Sequence, residues 1–301
     1  MSYDSRWGDV REEVRRSLDR RLRQLGLPED ASSRVSHGGR FNRAVLFLML
    51  ADPDVVKKRK RRVAVDLAVA LEMIHKASVI RDDIEDSDVV RRGLPTESAV
   101  TGIPGALAMS DVLLAGGLAT IQRLEPTAIK KVLGTLESMA RGQFHDVQKP
   151  LDSGDPFGIA ELKTGSLVAL AFWMGSLHSG RGRRDRKVLS ALGMHLGTAF
   201  QLTNDINNVL RDEGRGKPPG SDLTERRNSA IALLANQHSG EYPSEIDSSV
   251  HVAVERTYLE IDRRLSEARR LASLLKSPLP CEIRMLVSDD KTARSFVGDQ
   301  Q

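Results

Sequence analysis

The chain has 301 residues, 40% hydrophobic and 29% charged, with one cysteine and a formal net charge of +4. That composition supplies a sizeable core and excludes a disordered chain, and the lone Cys281 excludes a disulfide framework. No uncharged apolar run reaches the roughly 18 to 20 residues that span a bilayer, and the start, "MSYDSRWGDVREEVRR", lacks the apolar core of a secretory signal. The expectation is a cytoplasmic protein without a transmembrane segment, whose mild positive charge favours anionic partners.

Apolar residues recur at helical spacing almost throughout, and sustained period-two alternation is nearly absent, so the sequence predicts an all-α protein. An N-terminal helical segment over 1–30 carries Leu18, Leu22 and Leu25. "GGRFNR" follows, with Arg40 and Arg43, and then the densest basic run, "KKRKRR" at 57–62. The preceding "ADPD" offers Asp52 and Asp54 as helix-start residues, and the run reads as a solvated helix face rather than a nucleic-acid site. A helix over about 63–87 has Val65, Leu67, Val69, Leu71 and Ile74 as apolar positions, and 105–119 is another uniformly apolar helical segment. Breakers such as "GLPED", "GLPT", "GIPG", "SGDPFG" and "DEGRGKPPGS" cut the chain into pieces of ordinary helix length, none of them like an interdomain linker. With no repeat of constant period, this predicts one domain over 1–301, built as a helical bundle, with a flexible tail at 285–301.

The chemistry concentrates in "IRDDIEDSDVVRRGLPT", residues 80–96. On the predicted helix Asp82 and Asp86 are one turn apart on one face, with Asp83 offset by about 100° and His75 and Ser78 on the same face as Asp82. Like charges so spaced destabilise a helix by a few tenths of a kcal/mol unless a cation covers them. Oxygen-only ligands suit Mg²⁺, which keeps several waters and binds one or two carboxylates plus phosphate oxygens. Arg91 and Arg92 follow at once, with guanidinium forks that match phosphate geometry. Metal beside arginine points to a diphosphate. Farther on, Lys163 in "KTG" lies inside an apolar segment, an awkward place for a charge without an anionic partner.

"MIHKASVIRDDIEDSDVVRRGLPT" resembles the first aspartate-rich motif of the trans-isoprenyl diphosphate synthases, the polyprenyl synthetase family, and is most similar to geranylgeranyl diphosphate synthases of the eukaryotic type. "GGRFNR", "GQFHDV" (142–147), "LKTGSLVALA" (162–171) and "FQLTNDINNVLRDEGRGKPPGSDLTERRNS" resemble further blocks in family order. The resemblance implies the isoprenoid synthase bundle and a reaction joining isopentenyl diphosphate to an allylic diphosphate. It implies that Asp82, Asp83 and Asp86, with Asn204, Asp205 and Asn208 on a facing helix, hold a cluster of about three Mg²⁺ ions. By the same resemblance Arg91, Lys163, Thr164, Gln201, Lys217 and Arg227 surround the allylic diphosphate, and Arg40, Arg43, His75 and Arg92 position isopentenyl diphosphate. Ala77 and Ser78, small residues below the first motif, with Ile74 and Leu71 deeper, suit a product near C20, with C15 and C25 left open because the pocket floor comes from other helices. A homodimer is also implied.

The pattern departs from the family at the second motif, which reads "NDINN" where two aspartates normally lead. Asn204 keeps an oxygen ligand and removes a full charge, so the ion nearest it should be held more weakly. Asn204, Asn208 and Asp212 also fit the spacing of the second metal motif of class I terpene synthases, which cyclise a prenyl diphosphate. A weakly active subunit that modulates a catalytic partner is a third reading. The cationic set for a second diphosphate favours chain elongation over cyclisation, and the intact first motif favours it over the modulatory subunit.

Overall fold

The structure, a computed structural model, describes residues 3–37, 39–51, 58–91, 93–148, 155–210, 220, 223, 228–276 and 278–288. It divides into two compact units, residues 1–132 with 174–181, and residues 133–173 with 182–301. The all-α expectation holds for the described residues, apart from one short hairpin.

In the first unit α1 (Tyr3–Gln24), α2 (Glu29–Ser36), α3 (Asn42–Ala51) and α4 (Lys58–Glu85) precede the hairpin, and α5 (Glu97–Leu124) follows it. From Ala64 to Ile74 nearly every residue of α4 is buried, as is the whole apolar run Ala44–Ala51 of α3. A helix apolar on all sides must be surrounded, and α4 is packed by α1, α3 and α5. Its contact with α5 is close because a Cβ on Gly117 would lie 2.9 Å from the Ala70 carbonyl oxygen. The last turns of α8 (Ser166–His178) belong to this unit as well, and a Cβ on Gly175 would lie 2.7 Å from the Phe47 carbonyl oxygen of α3.

Three local features differ from the periodicity reading. Helix α4 begins at Lys58 rather than near 63, so residues 58–62 of the basic run lie inside it; Arg61 pairs with Glu13 while Lys60 and Arg62 are exposed, as a solvated face requires. Residues 52–57, including Asp52 and Asp54, lie outside the described residues. The helix stops at Glu85 because Ser87 adopts φ +55, and the chain then turns through the hairpin β1 (Val90–Arg91) and β2 (Leu94–Pro95), with Gly93 at φ +74. Two residues per strand are too few for the alternation that marks strands in a sequence. Thr96 then caps α5, its hydroxyl oxygen accepting the Ala99 N–H at 3.3 Å. Inside α5, Gly102 (φ +72) breaks the helix two residues before Pro104, whose ring forbids an uninterrupted ladder. Among the described residues α5 is also the one helix long and apolar enough, by length and composition, to cross a bilayer.

The second unit contains α6 (Ile129–Val147) from Leu133 onward, the single turn α7 (Gly158–Ala160), a π-helical turn (Glu161–Gly165) and the start of α8. It continues through α9 (Arg183–Leu210), α10 (Ala230–Ser239), α11 (Ser248–Ser273) and α12 (Cys281–Ser288). Helix α9 packs on α11, the π-helical turn and α10, and α8 approaches it closely, a Cβ on Gly197 lying 2.8 Å from Val168 Cβ. Ser229 and Asp247 cap α10 and α11 through their side-chain oxygens, and Gly240 at φ +77 ends α10. Of the expected tail at 285–301, residues up to 288 complete α12 and the rest lie outside the described residues.

Candidate active site

In the first unit the acidic motif forms the C-terminal turns of α4. Asp82 and Asp86 are half-buried one turn apart, while Asp83 points inward and is only 4% exposed. Asp83 forms an ion pair with Arg91 from the hairpin, and Arg91 Nη2 also lies 3.8 Å from Asp88. Burial pushes the Asp83 carboxyl up and outweighs the Arg91 charge that opposes it; Asp88 and Asp82 add to the rise. The hairpin therefore brings Arg91 back onto the helix that carries the acids. Arg92 lies outside the described residues.

Two to three turns earlier, α4 fixes the "GGRFNR" segment. Arg43 Nη1 donates to His75 Nε2 at 2.9 Å, so the ring accepts there and carries its proton on Nδ1. The buried Glu72 accepts the Ala44 N–H at 3.1 Å, and the Lys76 ammonium sits 5.4 Å from the centre of the Phe41 ring. Phe41 itself adopts φ +50, an uncommon conformation for an aromatic residue that these contacts hold. Arg40 is half-buried next to it. Below the acids, Ala77 is buried and Ser78 half-buried; the Ala77 carbonyl accepts Ser110 Oγ at 3.0 Å, and Arg81 Nε donates to that same hydroxyl oxygen at 2.9 Å.

In the second unit Lys163 and Thr164 stand on the π-helical turn. Lys163 is ion-paired with Asp146 of α6, which gives the charge inside the apolar segment its anionic partner. Thr164 Oγ1 donates to Gln201 Oε1 at 2.8 Å, and Gln201 Nε2 donates to Asp205 Oδ1 at 2.9 Å. Asp205 Oδ2 accepts the N–H of Ala230, the first residue of α10, at 3.2 Å. Both oxygens of Asp205 thus serve protein donors. Asn204, like Asp205, is 7% exposed, and Asn208 one turn on is half-buried. Lys217, Arg227 and Asp212 lie outside the described residues. Asn228, just beyond, donates its amide nitrogen to the carbonyls of Asp146 (2.9 Å) and His145 (3.2 Å) at the end of α6.

Among the described residues no three or more histidine, cysteine or acidic side chains form a closed metal cage. Each unit carries its own set of side-chain oxygens, Asp82 and Asp86 on α4 in the first and the Asn204 and Asn208 amides on α9 in the second. Such a set suits a hard divalent ion whose remaining ligands are water or phosphate. Sequence reasoning missed Glu72 and the inward turn of Asp83. It also missed Asp146, although "GQFHDV" stood out, because nothing local signals that its carboxylate meets a lysine on another element.

The sequence matches the polyprenyl synthetase family over residues 27–256. The nonaprenyl diphosphate synthase of Mycobacterium tuberculosis is 31% identical over 237 residues, covering 75% of this chain and 69% of that protein. The farnesyl diphosphate synthase of Geobacillus stearothermophilus is 30% identical over 258 residues, covering 78% and 85%. The fold is that of the geranylgeranyl pyrophosphate synthase from Corynebacterium glutamicum, solved with isoprenyl diphosphate and magnesium, with a TM-score of 0.76 at 19% identity and all of both chains covered. The names of the relatives run from farnesyl to nonaprenyl, so the narrower likeness to eukaryotic-type geranylgeranyl synthases does not carry over into the comparisons. Family match and fold agree, and the chain belongs to the polyprenyl synthetase family, the trans-prenyl diphosphate synthases, as a prenyltransferase.

Proposed function

We infer that the protein condenses isopentenyl diphosphate with an allylic diphosphate to give a longer all-trans prenyl diphosphate, with geranylgeranyl diphosphate (C20) as its product. The observation that carries this reading is the Arg43–His75 pair on the helix that ends in Asp82 and Asp86. Its guanidinium is a phosphate-binding cation additional to Lys163, and a cyclase acting on a single diphosphate has no use for it. Arg40, Arg43, His75 and Arg92 are assigned to isopentenyl diphosphate. Lys163, Thr164, Gln201, Arg91, Lys217 and Arg227 are assigned to the allylic diphosphate, with Asp146 neutralising Lys163 until phosphate oxygens take it over.

Asp82, Asp86, Asn204 and Asn208 would supply oxygens to Mg²⁺, which when bound contributes positive charge to the leaving diphosphate. Lys163 and the arginines add fixed cations where negative charge grows as the allylic C–O bond breaks. Arg43 and His75 hold the second diphosphate so that its double bond meets the allylic carbon. A carbon–carbon bond forms, and the proton lost from isopentenyl diphosphate passes to the released diphosphate, so no side-chain base is required.

The product length rests on Ala77 and Ser78, which leave room below the acids, and on α4 itself carrying no Phe, Tyr or Trp. The exposed apolar residues of α5, Val100, Ile103 and Leu107, support a homodimer. A bilayer is the poorer partner for that helix, because Asp111, 71% exposed and bridged to Arg81, would lie in the hydrocarbon.

Labelled isopentenyl diphosphate, a panel of allylic partners, Mg²⁺ and mass analysis of the products test the reading. Incorporation with a C20 product is expected. A hydrocarbon made from geranylgeranyl diphosphate alone, without incorporation, would establish the cyclase, and turnover only on adding a partner chain would establish the modulatory subunit.

A further inference from the structure

Glu161 and Arg264 lie outside every substrate contact assigned above, and we propose that they are positioning residues that hold the π-helical turn presenting Lys163 and Thr164. The proposal rests on the assignment of those two residues to the allylic diphosphate.

A π-helical turn inserts a residue into the α-helical ladder; here the Ser166 N–H bonds the Glu161 carbonyl, five residues back. Such turns are rare, poorly stabilised by themselves, and concentrated at functional sites. This one is fitted closely to its surroundings. A Cβ on Gly142 of α6 would lie 2.8 Å from Leu162 Cβ, and one on Gly165 would lie 2.6 Å from Thr198 Oγ1 of α9. Side chains anchor it at three points: Lys163 to Asp146, Thr164 to Gln201, and Glu161 to Arg264 Nη1 at 2.7 Å.

The three anchors are not equivalent. When phosphate oxygens take Lys163 and Thr164, Asp146 and Gln201 must release them. Glu161–Arg264 competes with nothing in the substrate and persists through the bound state, when the turn most needs fixing.

The chemistry of Arg264 suits that task. On α11 it is 6% exposed, and its Nε donates to Glu260 at 2.7 Å while Nη1 reaches Glu161. Burial pushes the Glu260 carboxyl up, but hydrogen bonds from Arg263 and Arg264 outweigh this and hold it below its ordinary value, so the guanidinium keeps its anion. Buried ion pairs rarely exceed apolar packing as a source of stability, whereas a planar guanidinium fork fixes its partner in both distance and direction. The worth of this pair is geometric. Arg263 grips Glu260 through two further bonds at 2.7 and 2.6 Å, so replacing Arg264 leaves no carboxylate buried alone.

The test uses the full chain carrying Glu161→Gln, Arg264→Met, or both. Glu161 is 39% exposed, so its amide costs little in folding. Hydrogen exchange at the Ser166 and Gly165 amides should quicken by about tenfold in either variant while other elements are unchanged. The allylic KM should rise, or kcat fall, by about tenfold, with the KM for isopentenyl diphosphate unmoved. The double variant should be no worse than the worse single one, as expected for residues acting as a pair. Unchanged exchange at 165 and 166 overturns the proposal whatever the activity. Faster exchange with unmoved allylic kinetics overturns the link to substrate. A wild-type protein that incorporates no isopentenyl diphosphate refutes the functional reading instead, and the exchange comparison still decides whether the pair holds the turn.

Discussion

Replacing Asp205 separates two roles for the second acidic motif, and the structure sets the size of the effect. Its Oδ2 accepts the N–H of Ala230 and its Oδ1 the amide of Gln201, at 7% exposure. Asp205→Ala leaves a buried backbone N–H without an acceptor, at about 1–3 kcal/mol, and removes a negative charge from the N-terminus of α10, at about 0.3–1 kcal/mol. The expected loss is about 1.3–4 kcal/mol of folding free energy with no metal present. Asp205→Asn should lose less, about 1–2 kcal/mol, because charged hydrogen bonds become neutral ones while the acceptor for Ala230 survives. It has a second effect. A carboxylate only accepts, so it fixes Gln201 with its nitrogen toward Asp205 and its oxygen toward Thr164; an asparagine amide can donate, which lets Gln201 flip and forces the Thr164 hydroxyl to accept. The KM for the allylic diphosphate should change even where the fold survives. Denaturant unfolding of the three proteins in EDTA, at unchanged m-value, measures the first effect. If Asp205→Ala unfolds within about 0.5 kcal/mol of wild type and loses its response to Mg²⁺, the residue is chiefly a metal ligand and the capping argument is wrong.

Asn204→Asp should keep activity and lower the Mg²⁺ concentration needed for half-maximal rate, since it restores a charge to the oxygen set; an unchanged or weaker response would refute that account. Ala77→Phe, at a buried position below Asp82, should shorten the product, and an unaltered product mass removes Ala77 from the length ruler. His195 has its pKa lowered below 6.5, first by burial and then by the Arg264 charge, with Arg263 acting the same way and Glu267 and Glu161 opposing. The unfolded chain therefore takes up the proton first, so the stability this histidine contributes is complete above its ordinary pKa and is lost as pH falls from there through the lowered value. His195→Asn should flatten that slope, as seen by denaturation at a series of pH values; parallel curves for the two proteins would count against it.

Much of the candidate site is legible in the chain because its chemistry is local. Asp82 and Asp86 share a face through helical spacing alone. "GGRFNR" keeps its arginines three apart, and the apolar runs around Val65–Ile74 and Ala44–Ala51 announce buried helices wherever they pack. The second motif is local too, and its departure at Asn204 needs no structure to be seen.

Which oxygen points outward was settled by folding. Asp83 is as acidic as its neighbours in sequence, yet the hairpin turns Arg91 back on it and leaves it buried. Asp205 is committed to a helix that begins 25 residues later, and Glu161 to an arginine 103 residues away. The π-helical turn and the break at Gly102 likewise leave no periodic mark. Spacing along one helix follows from backbone geometry that every residue obeys, so composition and period fix it. A carboxylate's partner depends on what other elements bring within hydrogen-bond reach, and that was decided only when the chain packed.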